Sequence, residues 1–80
     1  MQKEIIFNKL KETLVSNFQI DADKINPENH LEKDLGLDSL DLVDILIYLK
    51  DHTCEKADPV LLKNARTVQN VVDLLEPVWK

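Results

Sequence analysis

Ser39 stands among carboxylates in the stretch GLDSLDLVD, residues 36–44, with Asp38 before it, Leu40 and Asp41 after it, and Asp44 closing the run. Ser16 is the only other serine in the chain. A hydroxyl so flanked invites a test for nucleophilic catalysis. Serine attacks at neutral pH only with a base to take its proton and donors to hold the developing oxyanion. The candidate bases are His30 and His52, and His52 lies more than three helical turns further along the chain. The G-x-S-x-G pattern of a nucleophile elbow is absent. Asp38 and Asp41 would also oppose a developing oxyanion. These residues argue against an enzyme.

Two other sets of residues could do chemistry. Residues 21–32, DADKINPENHLE, place Asp21, Asp23 and Glu32 where a twelve-residue calcium loop needs ligands. Ile25 fills the fifth, liganding position, Asn26 replaces the glycine of the sharp turn and Pro27 follows at once, so no calcium site is expected. Cys54 is the only cysteine, which leaves no disulfide within the chain and fits a reducing compartment. A small, half-buried side chain is its expected role.

The elements that must position Ser39 are helical. Ile6, Leu10, Leu14 and Phe18 fall four apart, with Phe7 and Val15 widening the stripe, which predicts an amphipathic helix over 2–18. Residues 19–38 lose that period and carry Asp, Asn, Pro and Gly, so they read as a long loop. Such a loop is uncommon unless pinned or functional; Ile20, Ile25, Leu31, Leu35 and Leu37 are the expected pins. A second helix is predicted over about 39–52, capped by Asp38 or Ser39 with Asp41 in its first turn. Asp58-Pro59 predicts a short helix through about residue 64, and Thr67 caps a last helix over 68–76 that Pro77 stops. Val71, Val72, Leu74 and Leu75 are its expected buried face.

Placed on a helical wheel, Leu42, Ile45, Leu46 and Leu49 share one arc of about 100°, wide enough to face a core. Leu40, Val43, Asp44, Ile47 and Asp51 fall on the other side. A contiguous apolar patch rimmed by charge often marks a partner site; the competing expectation is that the long loop covers Leu40 and Val43. The patch begins at Ser39.

Length and charge bound the rest. Eighty residues predict one domain, 1–80, with a modest core. The composition, 44% hydrophobic with one Gly and three Pro, suits a compact helical protein. Residues 21–44 hold eight acids (Asp21, Asp23, Glu28, Glu32, Asp34, Asp38, Asp41, Asp44) against Lys24 and Lys33, a net −6 within a chain of −5. That field repels nucleic acid and anionic membranes and steers basic partners. The N-terminal run MQKEIIFNKLKETL lacks a signal-peptide core and no apolar run approaches a membrane span, so a cytoplasmic protein without membrane insertion is expected.

The stretch DLGLDSLDLVD, residues 34–44, resembles the modification motif of acyl carrier proteins, and TVQNVVDLL, residues 67–75, is similar to that family's last helix. The resemblance covers most of the chain. It implies an all-α four-helix bundle, three longer helices and a short third one, with a long loop between the first two. It implies that Ser39 opens the second helix and carries 4′-phosphopantetheine, taken from coenzyme A, whose thiol holds an acyl group. The protein is then a carrier and not a catalyst. Asp38, Leu40, Asp41, Val43, Asp44 and Ile47 become the face read by a phosphopantetheinyl transferase and by acyl-transferring and condensing enzymes with basic docking patches. The carrier is expected to be a monomer. Leu42, Leu46, Leu49, Leu62 and Ala65, between the serine helix and the short third helix, are the expected lining of an acyl pocket.

The far end of that face departs from the family pattern. Tyr48, Lys50, His52 and Thr53 stand where further carboxylates and an aromatic residue are usual, and PVLLKNAR, residues 59–66, has Lys63 and Arg66 but no acid. Fatty-acid synthesis and a specialised lipid or polyketide pathway are therefore both open. Peptidyl carriers commonly show Gly-Gly-His/Asp-Ser, against Gly36-Leu37-Asp38-Ser39 here, while D-alanyl carriers share Asp-Ser-Leu. An aminoacyl or D-alanyl carrier is thus an alternative, and an unmodified helical adaptor a remoter one.

Overall fold

The computed structural model describes residues 2–54 and 59–80. Among them the chain is helical, with no strand and only two isolated bridge pairs. Three α-helices carry the fold: α1 (Gln2–Phe18), α2 (Ser39–Tyr48) and α3 (Val68–Leu75). Short 3-10 turns fill the connections.

On α1 the four-residue spacing does what it predicts, since Ile6, Leu10 and Leu14 lose all contact with water. Phe7 and Phe18 pack half-buried beside them, whereas Val15 points outward. Gln19 ends the helix with φ of 56°, and the Ile20 N–H returns to the Leu14 carbonyl at 3.2 Å. A left-handed residue after the last turn is a common way to satisfy terminal carbonyls.

The loop over 19–38 is pinned as expected. Ile25, Leu31 and Leu37 are buried, and Ile20 and Leu35 lie half-buried against the core. Its backbone also completes α3. The first N–H groups of a helix have no partner within it; here Val68 donates to the Asn29 carbonyl (3.1 Å) and Gln69 to the Pro27 carbonyl (2.9 Å). The next donor, Asn70 N–H, goes to the Thr67 hydroxyl, and the Asn70 amide oxygen accepts from Thr67 N–H in return. Leu31 N–H reaches the Arg66 carbonyl at 2.8 Å. The long loop is thus a cap on α3 and keeps a fixed shape.

Three boundaries differ from the periodic reading. α2 stops at Tyr48, four residues short of 52, and gives way to a 3-10 turn, Lys50–His52. Beyond that turn Thr53 is extended and pairs with Trp79: Cys54 N–H donates to the Val78 carbonyl and Lys80 N–H to the His52 carbonyl, with His52 stacked on Trp79. Where a short helix is expected from Pro59 through about residue 64, the described residues form a 3-10 turn, Pro59–Leu62; Asp58, before it, lies outside the described residues. Pro77 does not stop the chain from coiling but enters a 3-10 turn, Glu76–Val78, directly after α3. On α3 it is Val68, Val71, Val72 and Leu75 that are fully buried, with Leu74 at the margin. Cys54 is half-buried and free.

Candidate functional site

Ser39 is placed by the turn that precedes it. The His30 Nδ1 accepts the N–H groups of Glu32 (3.2 Å) and Lys33 (3.1 Å), while the Asp34 carboxylate accepts the His30 N–H at 2.6 Å. That reciprocal pair closes the turn as a capping box closes a helix. The Asp34 pKa lies below the ordinary aspartate value, chiefly because of this backbone bond. Gly36 then adopts φ of +69° and sends its N–H to the Glu32 carbonyl, and Leu37 N–H reaches the Leu31 carbonyl at 2.8 Å. Leu37 is buried, so the chain arrives at Asp38 with a fixed direction.

Asp38 caps α2. Its Oδ1 accepts the Asp41 N–H at 3.0 Å and the Asp41 Oδ2 accepts the Asp38 N–H at 3.1 Å. Two of the acids around the serine therefore have a local task that sequence spacing alone gave only to the cap position. Ser39 is the first helical residue and is exposed, and its hydroxyl makes no hydrogen bond to any described residue. Leu42 and Ile45, buried one turn on, fix the helix beneath it.

The outward face follows the wheel. Leu40 is 73% exposed and Ile47 61%, Asp44 is exposed, and Val43 and Asp41 are half-buried. Val60, 69% exposed, extends this apolar strip from the neighbouring turn. Between α2 and that turn lies a cavity of about 210 Å³ lined by Ser39, Leu42, Val43, Val60, Leu62 and Lys63. Of the five residues expected around such a space, Leu42 and Leu62 line it. Leu46, Leu49 and Ala65 are buried in the core and do not reach it.

Val60, Val43 and Lys63 are the lining residues that the helical reading missed. The signal was Pro59: in a 3-10 turn, residues three apart eclipse, which sets Val60 and Lys63 on one side, and the Lys63 N–H does bond the Val60 carbonyl at 3.1 Å. Neither histidine lines the cavity; His52 lies in a separate polar groove with Lys9, Glu12, Thr13, Ser16, Asn17, Tyr48 and Leu49. Among the described residues no three potential metal ligands gather, and Asp21 instead caps the 3-10 turn Ala22–Lys24.

An exposed serine whose hydroxyl bonds no described residue thus stands at the start of a capped helix and lines a largely apolar cavity. A family model described as a phosphopantetheine attachment site matches residues 8–75. "Acyl carrier protein 2" of Ralstonia nicotianae is 34% identical over 76 residues, covering 95% of this chain and 94% of that protein. The chain belongs to the acyl carrier protein family. "Acyl carrier protein" of Coprothermobacter proteolyticus is 36% identical over 76 residues (95% and 93% covered), and that of Lactobacillus acidophilus 32% over the same length (95% of each). As a member of this family it is a carrier rather than a catalyst, and its prosthetic group is 4′-phosphopantetheine. The residues present fit that group: Ser39 offers an exposed hydroxyl with no bond to any described residue, and lines an apolar recess.

Proposed function

We propose that the chain, acting as a single domain over 1–80, carries acyl groups as thioesters on an arm attached at Ser39. The observation that carries this reading is the free, exposed hydroxyl of Ser39 at the mouth of an apolar cavity in a member of this family. Ser39 would hold the arm through its hydroxyl oxygen, in a phosphodiester formed as the phosphoanhydride bond of coenzyme A breaks, with adenosine 3′,5′-bisphosphate as the leaving group and the serine proton passing to a base of the transferase. When bound, the arm supplies the thiol that holds the acyl group. The chain's own part is to present the serine, to be recognised and to shelter the cargo. Phosphopantetheinyl transferase and acyl-transferring and condensing enzymes with basic patches are the partners, met by Asp38, Leu40, Asp41, Val43, Asp44 and Ile47. Charge there favours fast, oriented encounter and the apolar residues supply hold. The Pro59–Leu62 turn takes the place of the short third member of a four-helix bundle.

Fatty-acid synthesis in the cytoplasm is the first pathway to test. Among the described residues no helix is long and apolar enough to cross a membrane. A specialised carrier is the second reading, favoured by Lys63 beside the serine and by a cavity that suits a short chain. Leu42 and Leu62 form the floor for the first carbons, while Leu46, Leu49 and Ala65 are reached only if the turn moves off α2. Incubation with coenzyme A and a transferase tests the core of the reading by intact mass. The native chain and Ser16→Ala gain one arm, and Ser39→Ala gains none while keeping its helical signal. Arm incorporation in the Ser39→Ala protein sinks the assignment.

A further inference from the structure

Ser39 and Lys63 line one cavity, the serine from the first turn of α2 and the lysine from the residue after the Pro59–Leu62 turn. All the other lining residues are apolar: Leu42, Val43, Val60 and Leu62. Lys63 is held in place from both sides. Its own N–H bonds the Val60 carbonyl, the Ala65 N–H bonds the Leu62 carbonyl, and Leu62 and Ala65 are both buried. Its side chain is exposed and forms no ion pair with any described residue, whereas Lys3 and Lys9 are paired with Asp73 and Glu12.

The charged residues beside Ser39 along the start of α2 are negative: Asp38 and Asp41 in the capping box and Asp44 a turn further on. An anion on the Ser39 oxygen is repelled by the acids of α2 and attracted by the one ammonium that shares its cavity. We infer that Lys63 binds the phosphodiester that Ser39 carries. This contact sets the root of the arm on the turn side of α2, so that the arm starts out over the apolar recess and away from the acidic face. The inference rests on the reading of Ser39 as the attachment point. A lysine offers a point charge on a flexible stem, so arginine should replace it and glutamine should not.

The test uses the full chain, loaded from coenzyme A so that the arm ends in a free thiol, in native, Lys63→Gln and Lys63→Arg forms. Loading is expected to raise the thermal midpoint of the native and Lys63→Arg proteins above its effect on Lys63→Gln by roughly 2–4 °C at low salt. About 1 M salt should erase that difference. The phosphorus NMR line of the phosphodiester should move in Lys63→Gln and stay in Lys63→Arg. Equal loading effects with an unmoved phosphorus line in Lys63→Gln overturn the inference. So does a difference that arises only when the thiol bears a carboxyl-ended acyl group, because Lys63 then serves the cargo. Intact mass separates the two levels: no arm on Ser39 removes the carrier reading and this contact with it, while a loaded protein indifferent to Lys63 removes this contact alone.

Discussion

Gly36 is the residue on which the direction of Ser39 turns. Its φ of +69° lies in the left-handed region, and a Cβ there would meet nothing within 4 Å. The cost of Gly36→Ala is therefore backbone strain alone, about 1 kcal/mol, which lowers the thermal midpoint of a domain this size by roughly 4–8 °C. His30 acts one turn earlier through a single acceptor atom shared by two N–H groups. His30→Ala leaves both without it and should cost about 1 kcal/mol, as for loss of a helix cap. Chemical denaturation of the two variants measures both values; a Gly36→Ala protein as stable as the native one would show that the turn has no fixed shape in solution.

At the scale of the element, α2 asks two things of the same acids. Asp38 and Asp41 close the helix start, and with Asp44 they give the outer face its charge. Asp38→Asn keeps a side-chain oxygen for the Asp41 N–H and removes only the charge, whereas Asp38→Ala removes both. Denaturation should show little change for the first and a loss of about 1 kcal/mol for the second. In transfer assays Asp38→Asn should slow arm incorporation through association, as should Asp44→Lys and added salt. A rate indifferent to all three leaves the exposed Leu40, Ile47 and Val60 as the whole basis of recognition. In the proposed reading the turn opposite α2 shelters the cargo. Acyl chains of increasing length should raise the thermal midpoint of the loaded protein by stages, since each buried methylene is worth about 0.8 kcal/mol, until the cavity is full. Val60→Trp, a change at an exposed rim position, should flatten that series without unfolding the protein.

At the scale of the molecule, stability in acid is set by carboxylates that fold into defined bonds. The Lys3 ammonium, 3.0 Å from Asp73, joins α1 to α3 and, ahead of the Gln69 amide, holds the Asp73 pKa below its ordinary range; the Asp34 pKa is held down by the His30 N–H. Groups whose folded pKa is lowered bind protons more readily when unfolded. Their contribution is complete above the unfolded value and is lost as the pH falls through the folded one. Lys3, raised by Asp73, behaves oppositely: its contribution is complete below the ordinary lysine value and is lost as the pH rises through the higher folded one. The thermal midpoint should thus fall on acidification below the ordinary aspartate range, and less steeply in Asp73→Asn and Asp34→Asn. The same acid slope in both variants would assign acid unfolding to other carboxylates.

The sequence by itself determined what is local. Ile6, Leu10 and Leu14 recur at the helical period and Asp38 and Thr67 are good caps, so α1 and the starts of α2 and α3 were readable; the motif on which the proposed attachment at Ser39 rests also lies within one stretch. Apolar residues in the loop announced that it was pinned, but its bonds from Pro27 and Asn29 to the start of α3 join segments some forty residues apart in the chain. The end of α2 likewise lay outside the local pattern: a 3-10 turn follows it, and beyond that turn the chain bonds to residues 78–80. Depth escaped the wheel as well. It gives the direction of a side chain and not what stands in front of it, so Leu42 lines a cavity while Leu46 and Leu49, on the same arc, fill the core. Only tertiary packing could bring Lys63 to the cavity that Ser39 opens, because neither residue's local preferences contain the other.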